Sequence, residues 1–195
     1  MATTEKGACL VVGVGDGVGG AIARAFAAQG YTVCMTRRPR HLDQLEALAA
    51  TIRDGGGRAR AYGVDARQEG EMVALFDRIE AEVGPLEVVV FNIGANVRFG
   101  FVETTAQVFS KVWEMACFAG FLAGREAARV MTPRGRGSIL FTGATASVRY
   151  ERIYPATINS PAGQNGRPRD STWEARVASL RSGTLLRPMM WRLIE

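Results

Sequence analysis

Histidine occurs once in this chain, as His41, and cysteine three times, as Cys9, Cys34 and Cys117, so no His/Cys spacing suited to a metal ion exists. Two of the cysteines fall inside apolar, strand-like runs, which reads as buried thiols of a reducing cytoplasm rather than a disulfide framework. No apolar run approaches the roughly 20 residues needed to span a membrane. Residues 1–7 lack the charged and apolar regions of a signal peptide. Lysine is missing after Lys111. Surplus charge is missing from most of the chain too: residues 1–147 hold 16 basic against 15 acidic side chains, and the net +5 arises almost entirely from residues 148–195, with 8 against 4. No nucleic-acid motif accompanies that basic tail, which reads as a solvated stretch. What remains is a 195-residue chain, 47% hydrophobic, of a size for one domain with a real core.

That domain is organised around residues 8–27. A short apolar run ending at Val12, a turn made mostly of glycine, and an alanine-rich segment with Ile22 and Phe26 four apart read as strand, phosphate loop and helix. Glycine lets the backbone bend sharply and approach a pyrophosphate, while the helix start offers free N–H groups and a partial positive charge. Two registers fit: Gly15-x-Gly17-x-x-Gly20, and Gly13-x-x-x-Gly17-x-Gly19, which ties the loop directly to the strand end and is preferred. The bland alternative is a strand-to-helix turn without a ligand.

The chain then alternates. Gln29-Gly30 suits a helix C-terminus, and Tyr31–Thr36 reads as a second strand ending at Arg37-Arg38-Pro39-Arg40. In dinucleotide folds an acid near this point bonds the adenosine ribose of NAD, whereas arginine accommodates the 2′-phosphate of NADP; Arg37 and Arg38 therefore favour NADP(H) over NAD(H). Leu42, Leu45, Leu48 and Ile52 mark an amphipathic helix over 41–54, with His41 in an exposed or capping role at its start. Ala59–Val64 reads as a third strand, and Asp65 at its carboxyl end is placed either to accept from the adenine amino group or to cap the helix carrying Met72, Leu75, Phe76, Ile79 and Val83. Leu86–Asn92 is apolar enough for a central strand, and the turn containing Asn92 and Gly94 lies where the nicotinamide half of a cofactor would pass. A long helical region over about 105–131 precedes a fifth strand, Ser138–Thr142. Five strands alternating with helices imply an α/β, Rossmann-like, doubly wound parallel sheet over residues 1–147, followed by an irregular tail over 148–195. In that tail only Ser171-x-x-Glu174, a capping box ahead of Val177 and Leu180, suggests a short helix.

Gly13, Gly17 and Gly19, Asp65 after the third strand, and Asn92-x-Gly94 after the fourth fall in the order of the short-chain dehydrogenase/reductase family, which residues 7 to about 147 resemble. The resemblance implies NAD(P)-dependent hydride transfer between a carbonyl and an alcohol, usually in an oligomer. It also implies a tyrosine proton donor, a lysine four residues on that lowers its pKa, a serine that orients the carbonyl and an asparagine that supports a water relay. A phenol titrating near about 10 is a poor acid–base catalyst at neutrality until a cation favours its ionised form.

The chain departs from that set at each position. Matching Phe121 and Met131 to the family's long helix puts Ala116 at the asparagine, matching the fifth strand puts Ala144 at the serine, and four residues beyond Tyr150 and Tyr154 stand Tyr154 and Ile158. The resemblance is thus to a C-terminally truncated or altered member, and a shifted reading frame or alternative transcript end would produce such a tail. Two readings of function follow: an NADP(H)-binding oxidoreductase scaffold with impaired catalysis, or a noncatalytic nucleotide-binding or partner-binding protein with the tail as its interaction element. The apolar end, residues 185–194, reads as docking on the core beside the fifth strand in preference to a membrane surface, because Pro188 breaks it.

Overall fold

A computed structural model describes residues 6–94, 99–100, 102–143 and 175–180. Strands β1 (Ala8–Val12), β2 (Thr32–Arg37), β3 (Arg58–Gly63), β4 (Leu86–Phe91) and β5 (Gly137–Thr142) alternate with helices α1 (Val18–Ala28), α2 (Leu42–Asp54), α3 (Glu69–Glu82), α4 (Ala106–Trp113) and α5 (Ala119–Met131). The first five strands are parallel in the order β3-β2-β1-β4-β5. This order reverses direction at β1, so the loops after β1 and β4 part and leave a crevice at the carboxyl edge.

The core splits by strand parity. Leu10 and Val12 of β1 pack with Phe76, Leu122 and Met131 under α3 and α5, whereas Cys9 and Val11 pack with Leu45, Ala49 and Ile52 under α1 and α2. A register irregularity in β4 preserves this division: Ala8 pairs with Leu86 but Cys9 with Val88, so Glu87 is passed over and each neighbouring pair stays on a common face. Burial pushes the Cys34 thiol up to about 12 and the Cys9 thiol higher still, which leaves both protonated and unreactive.

The helices end where the sequence supplies a residue able to turn. Gly30, φ +87°, follows α1, and Gly56, φ +82°, follows α2. The long helical region is not uniform: α4 and α5 are joined by a π-helical turn, Glu114–Phe118.

The tail departs from expectation. Residues 175–180 form β6, antiparallel to β5 with Leu140 opposite Val177, not the helix suggested by the capping box. The unpaired N–H and C=O groups along β5 reward an extended partner, and this outweighs a local cap worth about 1 kcal/mol. Ser171 and Glu174 lie outside the described residues, as do 185–194, Ala144, Tyr150 and Tyr154. Among the described residues no helix is long and apolar enough to cross a membrane.

Candidate active site

The crevice at the carboxyl edge is a cleft of about 240 Å³ to which the loops after β1, β2, β3 and β4 all contribute. It brings together Gly13, Arg37, Arg38, Asp65, Asn92 and Gly94 from positions far apart in the chain. Gly17 and Gly19 stand beside it in the loop and first turn of α1.

The glycine loop hangs from the neighbouring strands. The Thr36 carbonyl accepts from Gly13 N at 3.1 Å and Val14 N at 2.9 Å, which holds the loop against the end of β2. Gly13 sits at φ +91°, and a Cβ there would lie 2.6 Å from Ile93 Cγ1. A Cβ on Gly19 would lie 2.8 Å from the Gly13 carbonyl oxygen and 2.9 Å from Asn92 Nδ2. Gly17 differs, for a Cβ there meets nothing within 4 Å. The first two glycines are required by packing; the third faces open space. Next to that space, the backbone N–H groups of Asp16, Gly17, Val18 and Gly19 donate to no described residue. Four free donors at the start of an eleven-residue helix suit an anionic group.

Asn92 acts as a strap. Its backbone N–H donates to the Val12 carbonyl at 2.8 Å, its Nδ2 donates to the Gly13 carbonyl at 2.9 Å, and its Oδ1 accepts from Thr142 Oγ1 at 3.0 Å. Asn92 therefore ties the ends of β1, β4 and β5 together and is itself one of the cleft's lining residues.

The far end of the cleft is rich in guanidinium groups. Arg37 Nη1 donates to Gln44 Oε1 at 3.0 Å; the Arg38 carbonyl accepts from His41 N at 2.9 Å, while its guanidinium makes no hydrogen bond or ion pair with another described residue. Asp65 is engaged: Arg67 Nε donates to its Oδ1 at 2.9 Å, Arg67 Nη2 to its Oδ2 at 2.5 Å, and Arg67 N to Oδ1 at 3.1 Å. These bonds hold the Asp65 carboxyl below its usual range. Asp65 does not cap α3, whose N-terminal flanking residue is Gln68; it closes a turn by accepting Gln68 N on its carbonyl at 2.9 Å.

Sequence reasoning missed Thr36, His41, Arg67 and Met115 as cleft residues. Asp65-x-Arg67 was a readable signal, since two residues is the reach of an Asx-type turn. Met115 had none: it enters the cleft from the π-helical turn, where Ala116 is buried with Val112. Ala116 thus offers no polar group at the position the resemblance gives to an asparagine.

Comparison with known proteins agrees with this architecture. The family model for short chain dehydrogenase matches residues 7–166. The mouse protein Dehydrogenase/reductase SDR family member 1 is 31% identical over 171 residues, covering 83% of this chain and 54% of its own length. Cis-4-hydroxycyclohexanecarboxylate dehydrogenase of Sinomonas cyclohexanicum is 33% identical over 132 residues, covering 67% of this chain and 52% of its own. A short-chain dehydrogenase crystal structure from Rhodopseudomonas palustris superposes with a TM-score of 0.71 at 49% identity, over 78% of this chain and 71% of that one. The chain spans about half the length of the curated relatives it matches. With a parallel sheet, a glycine loop tied to β2 and β4, and a match over most of its length, the chain belongs to the short-chain dehydrogenase/reductase family.

Proposed function

We propose that this chain binds NADP(H) in preference to NAD(H), on an oxidoreductase scaffold whose capacity for hydride transfer between cofactor and a carbonyl or alcohol is impaired. The observation that carries the cofactor preference is the juxtaposition of Arg37 and Arg38 at the end of β2 with the glycine loop in one cleft. An NAD-selective site needs a carboxylate here to accept from the ribose hydroxyls, and the carboxylate lining the cleft, Asp65, is held by Arg67. The Arg38 guanidinium, which makes no hydrogen bond or ion pair with another described residue, suits a 2′-phosphate that would pair with it bidentately.

The residues fit a dinucleotide along the whole cleft. Gly13 and Gly19 allow close packing of loop and helix, Gly17 leaves room for a pyrophosphate, and the N–H groups of residues 16–19 receive its oxygens. Asp65 retains lone pairs for the adenine amino group beyond those facing Arg67. Asn92 and Gly94, which line the cleft, are the residues that would border the nicotinamide half. The nicotinamide supplies or accepts the hydride when bound; the chain's own residues orient it.

The side chains the sequence offers for that reaction support a reading of impaired catalysis. Ala116 carries no side-chain hydrogen-bonding group, and the positions four residues beyond Tyr150 and Tyr154 hold Tyr154 and Ile158, neither a lysine that would lower a phenol pKa. Calorimetric titration with NADPH and NADH tests the cofactor assignment, with Arg37→Asp as control. Equal affinities, or an Arg37→Asp variant that retains NADPH affinity, would overturn it.

A further inference from the structure

His41 is an ionisable group in the cleft with no part in holding the dinucleotide as described so far. It flanks the N-terminus of α2 at φ −116° and makes no side-chain capping bond. His41 lines the cleft together with Arg37 and Arg38. The Nε2 atom accepts a hydrogen bond from Arg40 Nε at 3.0 Å, which requires a neutral ring with its proton on Nδ1.

The charged surroundings are one-sided. Arg37 and Arg38 at the end of β2 and Arg40 in the turn before α2 face the ring as cations, and Gln44 of α2 is its polar neighbour. Asp43, in the first turn of α2, lies two residues on. On the opposing β3–α3 loop, Asp65 is neutralised by Arg67. Desolvation and then the three guanidinium groups keep the imidazole below its ordinary range in the free protein.

We infer that His41 is a further recognition residue for the adenosine 2′-phosphate, and that binding of this phosphate is coupled to uptake of one solvent proton by the imidazole. The inference rests on the NADP(H) reading. A phosphate monoester brings a charge of about −1.5 to −2 into a site with surplus cations and so reverses the field on the ring. The solvent proton goes to the Nε2 lone pair, which turns that atom from acceptor to donor. The Arg40 hydrogen bond is then lost, and both Arg40 and the imidazolium are free to donate to phosphate oxygens. The sign of the linkage is definite. His41 titrates below its usual value when free and above it when the phosphate is bound, so affinity is highest at low pH and falls as pH rises across the window between the two. The limiting slope is tenfold per pH unit for one proton. The phosphate's own second ionisation, near about 6, acts in the opposite direction, so the comparison needs a variant and a ligand lacking the group.

Because His41 is the sole histidine of the chain, a tag-free sample gives one imidazole Cε1–H resonance, which reports its titration directly. Adenosine 2′,5′-bisphosphate and AMP, which differ only in the 2′-phosphate, are the probes. The expected result is a midpoint below the ordinary value alone, a rise of about one unit or more with the bisphosphate, and a much smaller change with AMP. Calorimetry in buffers of different ionisation enthalpy should show proton uptake with the bisphosphate that His41→Gln abolishes, with a several-fold loss of affinity near about pH 6 that shrinks near about pH 8. If the bisphosphate is preferred but the resonance does not shift, or if His41→Gln leaves the proton uptake intact, the inference fails and the NADP(H) reading stands. Should bisphosphate and AMP bind equally, that reading fails and takes the inference with it. The resonance measurement is made on the unaltered chain, so it decides the matter even if His41→Gln folds poorly.

Discussion

The side-chain amide of Asn92 donates to the carbonyl oxygen of Gly13 at 2.9 Å, a contact between residues 79 positions apart. It joins the strand that begins the cofactor loop to the strand that ends at the opposite wall of the cleft. The same amide accepts from Thr142, so loop geometry and sheet order are linked through one side chain.

Asn92→Ala should therefore destabilise the fold by about 1–3 kcal/mol, because it leaves the Gly13 carbonyl without the amide donor and the Thr142 hydroxyl with only its longer bond to the Phe91 carbonyl, at 3.3 Å. Thr142→Val should cost less, since its Oγ1 is only one of the three bonds made by Asn92. Urea unfolding of both variants checks the order; equal costs would show that the strap to Gly13 contributes little of its own.

The glycines should separate into two kinds. Gly17→Val meets open space, so the variant is expected to fold with near-normal thermal stability and to lose cofactor binding. Gly13→Val is expected to unfold or to melt far lower, since a Cβ there meets Ile93 and the backbone is at φ +91°. A Gly17→Val protein that keeps full cofactor affinity would count against a phosphate loop.

Glu126, 3% exposed, accepts from Arg125 Nε at 3.0 Å and Arg129 Nε at 2.6 Å, and those arginines reach Glu69 and Asp77 of α3. Removing this buried carboxylate while leaving its partners should cost about 2 kcal/mol, somewhat below a fully buried pair because the arginines are half-exposed. Denaturant midpoints of Glu126→Ala against Arg125→Ala, which removes one bond of the network, test that ranking.

Acid sensitivity should trace in part to Asp65. Its carboxyl titrates below the ordinary value of 3.8 because Arg67 hydrogen-bonds the charged form. A depressed folded-state pKa contributes stability that is fully present above the unfolded value and is lost as pH falls from there through the folded one. Arg67→Ala should remove that contribution, flattening the stability–pH curve below about pH 4 while leaving its neutral-to-basic limb in shape. An unchanged acid limb would mean the pair is not maintained in solution.

Carbonyl reduction by the purified chain is expected at or near background even with NADPH bound. Loss of a positioned general acid typically removes about 10² to 10⁴-fold in rate, before any loss of substrate positioning. Vigorous turnover of any carbonyl compound, abolished by Tyr150→Phe or Tyr154→Phe, would show that the tail rebuilds a proton donor. Background turnover with intact binding would instead favour a nucleotide- or partner-binding role.

The parallel strands, the glycine loop and the helices were legible in the order of residues, because each depends on nearest neighbours. A near-continuous apolar run at β4 has few alternatives to a central strand, and Leu42, Leu45 and Ile52 lie on one face of any helix drawn through them. Local pattern also carried Arg37 and Arg38 to the end of β2. It misled at Val177 and Leu180, whose helical spacing yields to the open edge of β5, and it could not reveal that Glu87 is skipped in the register with β1. Nor could it show that Thr36 anchors the loop, that Arg67 occupies Asp65, or that His41 faces the arginines of the cleft. These contacts exist only once the sheet order has brought four loop ends to one edge, for a hydrogen bond across 79 residues has no periodicity to announce it. Local order chose which elements form; closure of the sheet decided which of their ends meet, and therefore which charges share a field.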